Sequence, residues 1–196
     1  MIAKGIDVSE HQDRINWAEV QNEEIDFVIL RLGWIGNKEN HTIDKFFKEN
    51  YESCVRLGIP VGVYVYSYCE TEEAAKSAAK WTSEQLKGKK ITYPVFIDME
   101  DSQIENLDVQ TLTDISKTFC EELKTSGYSK VGIYANKNWL VNKLDASQLS
   151  KYNIWLAHYT DKTDYSGKYD MWQYTSSGTV KGIMGNVDMN YSYKIY

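Results

Sequence analysis

Apolar, β-rich runs recur along the chain, separated by polar stretches that contain glycine, asparagine or aspartate. Runs of this length, with many Val, Ile, Tyr and Phe residues, predict short β-strands. Eight candidates are found, over residues 5–9, 27–33, 61–68, 93–100, 131–136, 154–159, 171–175 and 186–191.

Between several of these runs the apolar positions follow a helical period. The clearest case is residues 109–124, where apolar side chains three and four residues apart form one face of a helix. Asp108 before this stripe, and Thr71 before Glu72 and Glu73, have the side chains expected of helix N-caps. Further helices are predicted over 43–57, 72–87 and 137–144, with a shorter one over 14–22.

The order of these elements predicts the fold class. Strands that alternate with helices imply parallel pairing, and eight strands favour closure into a (β/α)₈ barrel over an open doubly wound sheet. Such barrels typically need ~250 residues, so some outer helices must be missing. The segments 160–170 and 176–185 lack helical periodicity and are rich in turn-forming residues. We therefore expect an α/β, irregular TIM-like barrel with eight strands and about five helices, in one domain over residues 1–196.

Composition and charge narrow the function classes. Hydrophobic residues make up 42% of the chain, yet no apolar run approaches the ~20 residues of a membrane helix. The net charge of −6 argues against nucleic acid, because phosphate contacts need clustered Lys and Arg. The start, MIAKGIDVSEH, lacks the apolar region of a signal peptide. The three Cys and three His lack metal-ligand spacing. We expect no membrane or nucleic-acid partner, no metal and no cofactor.

The stretch YPVFIDMED ends a buried-strand pattern with acidic residues. Side chains two apart on a strand point the same way, so Asp98 and Glu100 share a face, with Cα atoms roughly 6.6 Å apart. In a parallel barrel that face looks inward, and active sites lie at the C-terminal strand ends. Asp7 in the first strand and Asp188 in the eighth, which close next to each other, would bring four carboxylates to one mouth. One such acid is more often a cap or turn residue, but four favour a functional site.

Crowded carboxylates raise one another's pKa, which keeps one of them protonated near neutral pH. A carboxyl group of this kind can act as the general acid that glycosidic cleavage requires. Binding of Mg²⁺ or Ca²⁺ is the competing use of such a cluster. No Gly-rich phosphate loop and no convergent Lys and Arg pair accompanies the acids, so the metal hypothesis is the less favoured one.

The aromatic residues also favour a sugar ligand. The chain has 15 Tyr and 6 Trp, side chains that suit sugar stacking but also serve as core residues with a polar tip. Tyr64 and Tyr66 share one face of the third strand, Trp172 and Tyr174 share a face of the seventh, and Tyr134 is near the end of the fifth. These five residues are the candidate substrate-binding side chains.

Several segments, in order along the chain, resemble family-25 glycoside hydrolases, the Chalaropsis-type lysozymes of bacteria, fungi and bacteriophage endolysins. The resemblance runs from about residue 4 to the C-terminus and is carried by GIDVSEHQDRINW, YPVFIDMED, GIYAN, WLAHY and MWQYTSSGTVKGIMGNVDMNYSY. It implies one catalytic domain with β-1,4-N-acetylmuramidase activity. By motif, Glu100 resembles the general acid and Asp98 the second catalytic carboxylate. Asp7 and Asp188 match the carboxylates that flank the groove.

The resemblance leaves the mechanism open. Carboxylates ~5–5.5 Å apart predict retention through a covalent intermediate, whereas ~6.5–9.5 Å predicts inversion. Two acids on one strand approach from one side, which favours attack by the substrate's own N-acetyl oxygen, with net retention. A chitinase-like hydrolase of N-acetylated glycans and a catalytically silent glycan-binding barrel are the alternatives.

The expected partner is cell-wall peptidoglycan. An acidic enzyme gains no long-range attraction to an anionic wall, so a separate cell-wall-binding module is expected to help. Action on the wall would follow either extracellular release or release from the cytoplasm as a phage endolysin.

Overall fold

The computed structural model describes residues 2–196, which form nine β-strands and six α-helices. The strands, β1 to β9, are Ala3–Val8, Phe27–Ile35, Thr42–Ile43, Val61–Ser67, Val95–Asp98, Val131–Asn136, Asn153–Ala157, Met171–Gly178 and Val187–Ser192. The helices, α1 to α6, are Trp17–Val20, Phe47–Leu57, Glu72–Leu86, Val109–Thr125, Lys137–Asn142 and Ala146–Leu149. No helix within residues 2–196 is both long and apolar enough to span a bilayer.

Eight of the strands close into a barrel. Their order is β1, β9, β8, β7, β6, β5, β4, β2, and β2 pairs with β1 to complete the ring. The two-residue β3 forms a short hairpin on the outer end of β2. The predicted irregular eight-stranded barrel is confirmed. Six helices occur where about five were expected, because α1 and α6 are single turns of four residues.

The expectation of parallel pairing throughout is wrong at β9. This strand is antiparallel to both β8 and β1, whereas the other barrel pairs are parallel. The physical reason is the connection: residues 179–186 are formed by turns, and a parallel return would need a crossover of a dozen or more residues. The final strand therefore enters the barrel at the mouth where the parallel strands end.

The core has two layers separated by the barrel wall. Outward-facing aliphatic side chains, such as Val63, Ile97 and Ile133, pack with the apolar faces of the helices. The inside of the barrel is filled by a second cluster that is mostly aromatic, comprising Phe27, Ile29, Tyr93, Phe96, Tyr134, Trp155, Ala157 and Met171. Branched aliphatic residues usually dominate this position, so the barrel interior is unusually rich in rings.

Glycines make room for these rings. A Cβ built on Gly5 would lie 2.4 Å from the Phe27 ring, and one on Gly132 would lie 2.7 Å from the Phe96 ring. The Trp155 ring lies at the centre of the cluster, 5.1 Å from Phe96 and 4.6 Å from Tyr134 between centroids. These side chains fill the barrel interior, so the barrel is not an open pore.

The predicted helix caps are confirmed. The Asp108 side chain accepts a hydrogen bond from the Thr111 backbone N–H, and Thr71 accepts one from Ala74. These bonds satisfy donors that a helix start leaves free. The helix predicted over 14–22 is shorter than expected and spans only α1, and segment 160–170 forms no helix.

Candidate active site

Four carboxylates meet at the mouth where the parallel strands end. Asp7 lies near the end of β1, Asp98 ends β5, and Glu100 follows two residues later. Asp188 is the second residue of β9 and reaches the same mouth because that strand is antiparallel; it is the register partner of Asp7. All four line one cavity of about 290 Å³.

Asp7 is buried among hydrogen-bond donors. Its Oδ2 accepts from Gln173 Nε2 and from Asn190 Nδ2, each at 2.8 Å. Burial, followed by the charge of Asp188, raises the pKa of Asp7 well above its usual range. Burial also raises the pKa of Asp188.

Asp98 lies on the floor of the cavity and is 3% exposed. Its Oδ1 is buried and has no hydrogen-bond partner. Burial, followed by the charge of Glu100, raises the pKa of Asp98, and the nearby Arg31 acts in the opposite direction. An unsatisfied buried carboxylate oxygen is costly. The floor of the cavity is therefore suited to receive a hydrogen-bond donor.

Glu100 is more accessible and lies between two cavities. Besides the acidic cavity it lines a second one of about 300 Å³, whose wall is formed by Tyr134, Asn136, Lys137, Asn138, Ala157, His158 and Tyr159. Burial, followed by the charges of Asp188 and Asp101, raises the pKa of Glu100 to about 6. Glu100 can therefore hold a proton near neutral pH at the boundary of the two spaces.

The predicted aromatic residues divide into two groups. Tyr64, Tyr66 and Tyr134 line the acidic cavity. The Tyr66 hydroxyl donates to Asp101 Oδ2 at 2.9 Å, which fixes that ring beside the carboxylates.

Trp172 and Tyr174 do not line either cavity, so their place along the glycan stays a prediction. They do share a face of β8, as the alternation predicts, but Met171 and Gln173 occupy the inward positions. The Trp172 Nε1 donates to the His158 carbonyl, and Tyr174 stacks on Tyr191 of β9 with centroids 4.4 Å apart. Both rings pack on the outer wall of the barrel.

Several residues of the site were not predicted from the sequence. Gln173 accepts hydrogen bonds from the hydroxyls of Tyr134 and Tyr159, at 2.8 and 3.0 Å, while it donates to Asp7. The Asn190 side chain likewise links Asp7 to the Trp155 indole. A signal was present for Gln173, which interrupts the apolar start of its strand, whereas Asn190 belongs to an alternating polar and apolar stretch.

Arg31 also lies in the site and was not predicted from the sequence. It is a lone charge in the buried run FVILRLG and lines the acidic cavity from the β2 side. Its Nε donates to Asp44 Oδ2 at 2.8 Å, and both side chains are buried. No group of His, Cys, Asp and Glu within residues 2–196 is arranged to hold a metal ion.

Comparison with known proteins places the chain among glycan-cleaving enzymes. The model of the family described as glycosyl hydrolases family 25 matches residues 6–183. The modular autolysin LytC from Streptococcus pneumoniae has a structure 36% identical in sequence, with a TM-score of 0.88, over 98% of this chain and 47% of that one. The catalytic domain of endolysin ply40 from bacteriophage P40 of Listeria monocytogenes is 26% identical, with a TM-score of 0.80, over 98% and 93%.

A curated relative extends the comparison. The autolytic lysozyme of Clostridium acetobutylicum is 25% identical over 189 residues, which cover 95% of this chain and 55% of that protein. The chain thus spans about half the length of LytC and of the clostridial enzyme. The family model covers most of the residues, including Asp7, Asp98 and Glu100, so the chain belongs to glycosyl hydrolase family 25.

Proposed function

We propose that this domain is a lysozyme that cleaves the β-1,4 bond between N-acetylmuramic acid and N-acetylglucosamine in peptidoglycan. Glu100 is the general acid and Asp98 the carboxylate that holds the acetamido group of the substrate. The observation that carries the proposal is the position of Glu100, a carboxyl group with a raised pKa at the boundary of two cavities.

Two cavities on either side of a proton donor suit the two sides of a glycosidic bond. The muramic acid on the glycone side would lie in the acidic cavity above Asp98, and the glucosamine on the leaving side would lie in the second cavity beside Tyr159. Both cavities are of the size of a sugar ring, at about 290 and 300 Å³. The tyrosines along this path offer flat faces and hydroxyl groups to the glycan.

In the first step the Glu100 proton passes to the glycosidic oxygen as its bond to C1 breaks. The carbonyl oxygen of the acetamido group bonds to the same C1, which leaves an oxazolinium ring on the muramic acid. Asp98 accepts the acetamido N–H on its unpartnered Oδ1 and offsets the positive charge that develops. Substrate assistance of this kind is an accepted exception to the scheme of two opposed carboxylates.

In the second step water attacks C1 from the face that the leaving group vacated. The Glu100 carboxylate accepts a proton from this water, the oxazolinium ring opens, and the original configuration at C1 is restored. Asp7 and Asp188, which line the same cavity, would accept hydrogen bonds from the sugar hydroxyls. An early NMR time course should show the β-anomer first, and an inverted product would rule this mechanism out.

The identity of the cleaved bond is tested on purified peptidoglycan. After digestion, borohydride reduces the new sugar ends, and mass spectrometry identifies them. Reduced muramic acid ends are expected. Reduced glucosamine ends would instead establish a glucosaminidase, and cleavage of chitin without cleavage of peptidoglycan would establish a chitinase.

Attachment to the wall is part of the same proposal. The net charge of −6 gives the domain no long-range attraction to an anionic wall. We therefore expect residence on peptidoglycan to depend on a separate cell-wall-binding module. Fusion of such a module to the domain should lower the concentration needed for lysis of whole cells without changing the products.

A further inference from the structure

The Arg31 guanidinium is held in one orientation from two directions. Its Nε edge is bonded to Asp44 Oδ2 at 2.8 Å, and Asp44 is itself fixed by the backbone N–H groups of Phe46 and Glu10. The face of the guanidinium lies against the Trp34 ring, with 4.1 Å between Cζ and the ring centroid. A guanidinium fixed in this way loses little further freedom when it binds a ligand.

One donor of this group is left over. Arg31 is 5% exposed, and its Nη2 is buried without a hydrogen-bond partner. The Glu10 carboxylate lies 3.8 Å from Nη2, which is an ion-pair contact but too long for a hydrogen bond. Buried guanidinium N–H groups are normally satisfied. This free donor belongs to a side chain that lines the acidic cavity.

The position of Arg31 within the cavity is set by the strand order. Arg31 is on β2, which is separated from β5 by β4, whereas the second cavity lies on the β6 and β7 side of Glu100. Arg31 is therefore on the side of the cavity away from the leaving sugar. Among the described residues that line this cavity it is the one permanent cation.

We infer that Arg31 is a specificity-determining residue that binds the acyl oxygen of the lactyl group of N-acetylmuramic acid on the glycone side. The inference rests on the proposed function and deepens it. N-acetylmuramic acid differs from N-acetylglucosamine only by the lactyl ether at C3, so a residue that tells them apart must contact that group. Its acyl oxygen is a carboxylate in the free sugar and an amide carbonyl in the wall. Both accept from a guanidinium, which only donates.

Binding of two disaccharides tests this. The ligands are N-acetylglucosaminyl-N-acetylmuramic acid and chitobiose, titrated by calorimetry into the Glu100→Gln protein so that nothing is cleaved. We expect tighter binding of the muramic disaccharide by roughly ten- to hundredfold. Adding Arg31→Lys retains the positive charge near Asp44 but removes the planar guanidinium and its Nη2 donor. It should abolish this preference and leave chitobiose binding unchanged.

The matched control is Arg14→Lys in the same background, since Arg14 is an exposed arginine paired with Glu49 outside the cavity. It should keep the preference. Loss of affinity for both sugars in the Arg31→Lys protein would mean a structural role for Arg31 and would overturn the inference.

A second measurement covers the case in which Arg31→Lys does not fold. The side-chain NMR signals of Arg31 in the Glu100→Gln protein should shift on addition of the muramic disaccharide and not of chitobiose. Equal binding of both sugars, with muramic ends still released by the unmodified protein, would overturn this inference alone. Binding of neither sugar, with no muramic ends released, would remove the proposed function and the inference together.

Discussion

Gln173 and Asp7 are 166 positions apart in the chain, yet the Gln173 amide donates to the Asp7 carboxylate at 2.8 Å. The same glutamine accepts from the hydroxyls of Tyr134 and Tyr159. Its amide orientation is therefore fixed on both sides, with the NH₂ group toward the acid and the oxygen toward the phenols. One uncharged side chain joins the acidic floor of the site to its aromatic wall.

Gln173→Glu tests this arrangement. The two phenols can still donate to a carboxylate, but the amide donor to Asp7 is replaced by a second carboxyl group. We expect the free energy of unfolding to fall at pH 7 by about 1–3 kcal/mol, and by less at pH 4.5, where the new group can hold a proton. Thermal unfolding at both pH values measures this. Gln103→Glu, at an exposed position outside both cavities, is the control and should change little.

Glu100→Gln tests the general acid. The amide keeps the shape of the side chain but has no acidic proton, so the rate of peptidoglycan cleavage should fall by roughly 10²–10⁴. Circular dichroism should show the fold unchanged. Glu105→Gln, on the same loop but outside both cavities, should cleave at the rate of the unmodified protein. Near-normal activity of the Glu100 variant would show that another group delivers the proton.

The raised pKa of Glu100 also predicts how stability and activity depend on pH. Because the folded protein holds this proton up to about pH 6, compared with 4.5 for an ordinary glutamate, the stability that Glu100 contributes below pH 4.5 is lost as pH rises through 6. The loss amounts to at most ~2 kcal/mol. The stability of Glu100→Gln relative to the unmodified protein should therefore increase between pH 4.5 and 6.5. An equal difference at the two pH values would contradict the raised pKa.

The pH dependence of activity should also reflect the protonation of Glu100. In the free enzyme the value of kcat/KM should decline as pH rises above about 6, since Glu100 loses the proton that it must deliver. Initial rates on soluble glycan strands between pH 4.5 and 8 would measure this. A profile that rises across this range would mean that the rate depends on an ionised base instead.

The outer and inner tyrosines should respond differently to substitution. Tyr174→Leu removes a ring stacked on Tyr191 outside the cavity, so we expect a loss of about 1 kcal/mol in stability and no change in KM. Tyr66→Phe removes a hydroxyl bonded to Asp101 in the cavity wall and should change KM or kcat. Steady-state kinetics and thermal unfolding of both variants separate the two roles. A raised KM for Tyr174→Leu would instead show that Tyr174 contacts the substrate.

The sequence predicted the barrel because its strand runs and helical stripe are strongly periodic. Side-chain alternation along the strand placed Asp98 and Glu100 on one face, and closure of the last strand beside the first placed Asp7 near Asp188. The alternation of side chains along a strand shows which residues share a face, but not which face points into the barrel. For β8 the missing information was Gln173, whose bonds to Asp7 and two phenols orient the strand. Trp172 and Tyr174 lie on the opposite face of β8 for that reason.

The direction of β9 was missed for a different reason. Its residues read as a strand whichever way it runs, and only the short connection of residues 179–186 settles the matter. Arg31 and Gln173 were overlooked because a lone polar residue in an apolar run was not treated as a signal, yet both line the acidic cavity.

The last strand gives the site an unusual assembly order. Asp7 depends on Asn190, 183 positions away, and β9 fills the gap between the first strand and β8. While the ribosome is still making the chain, the early strands can collect, but the ring stays open and the acidic mouth lacks one wall. The site is therefore complete only once β9 has been made, so chains that stop before this strand carry Asp7, Asp98 and Glu100 without the strand that closes the ring.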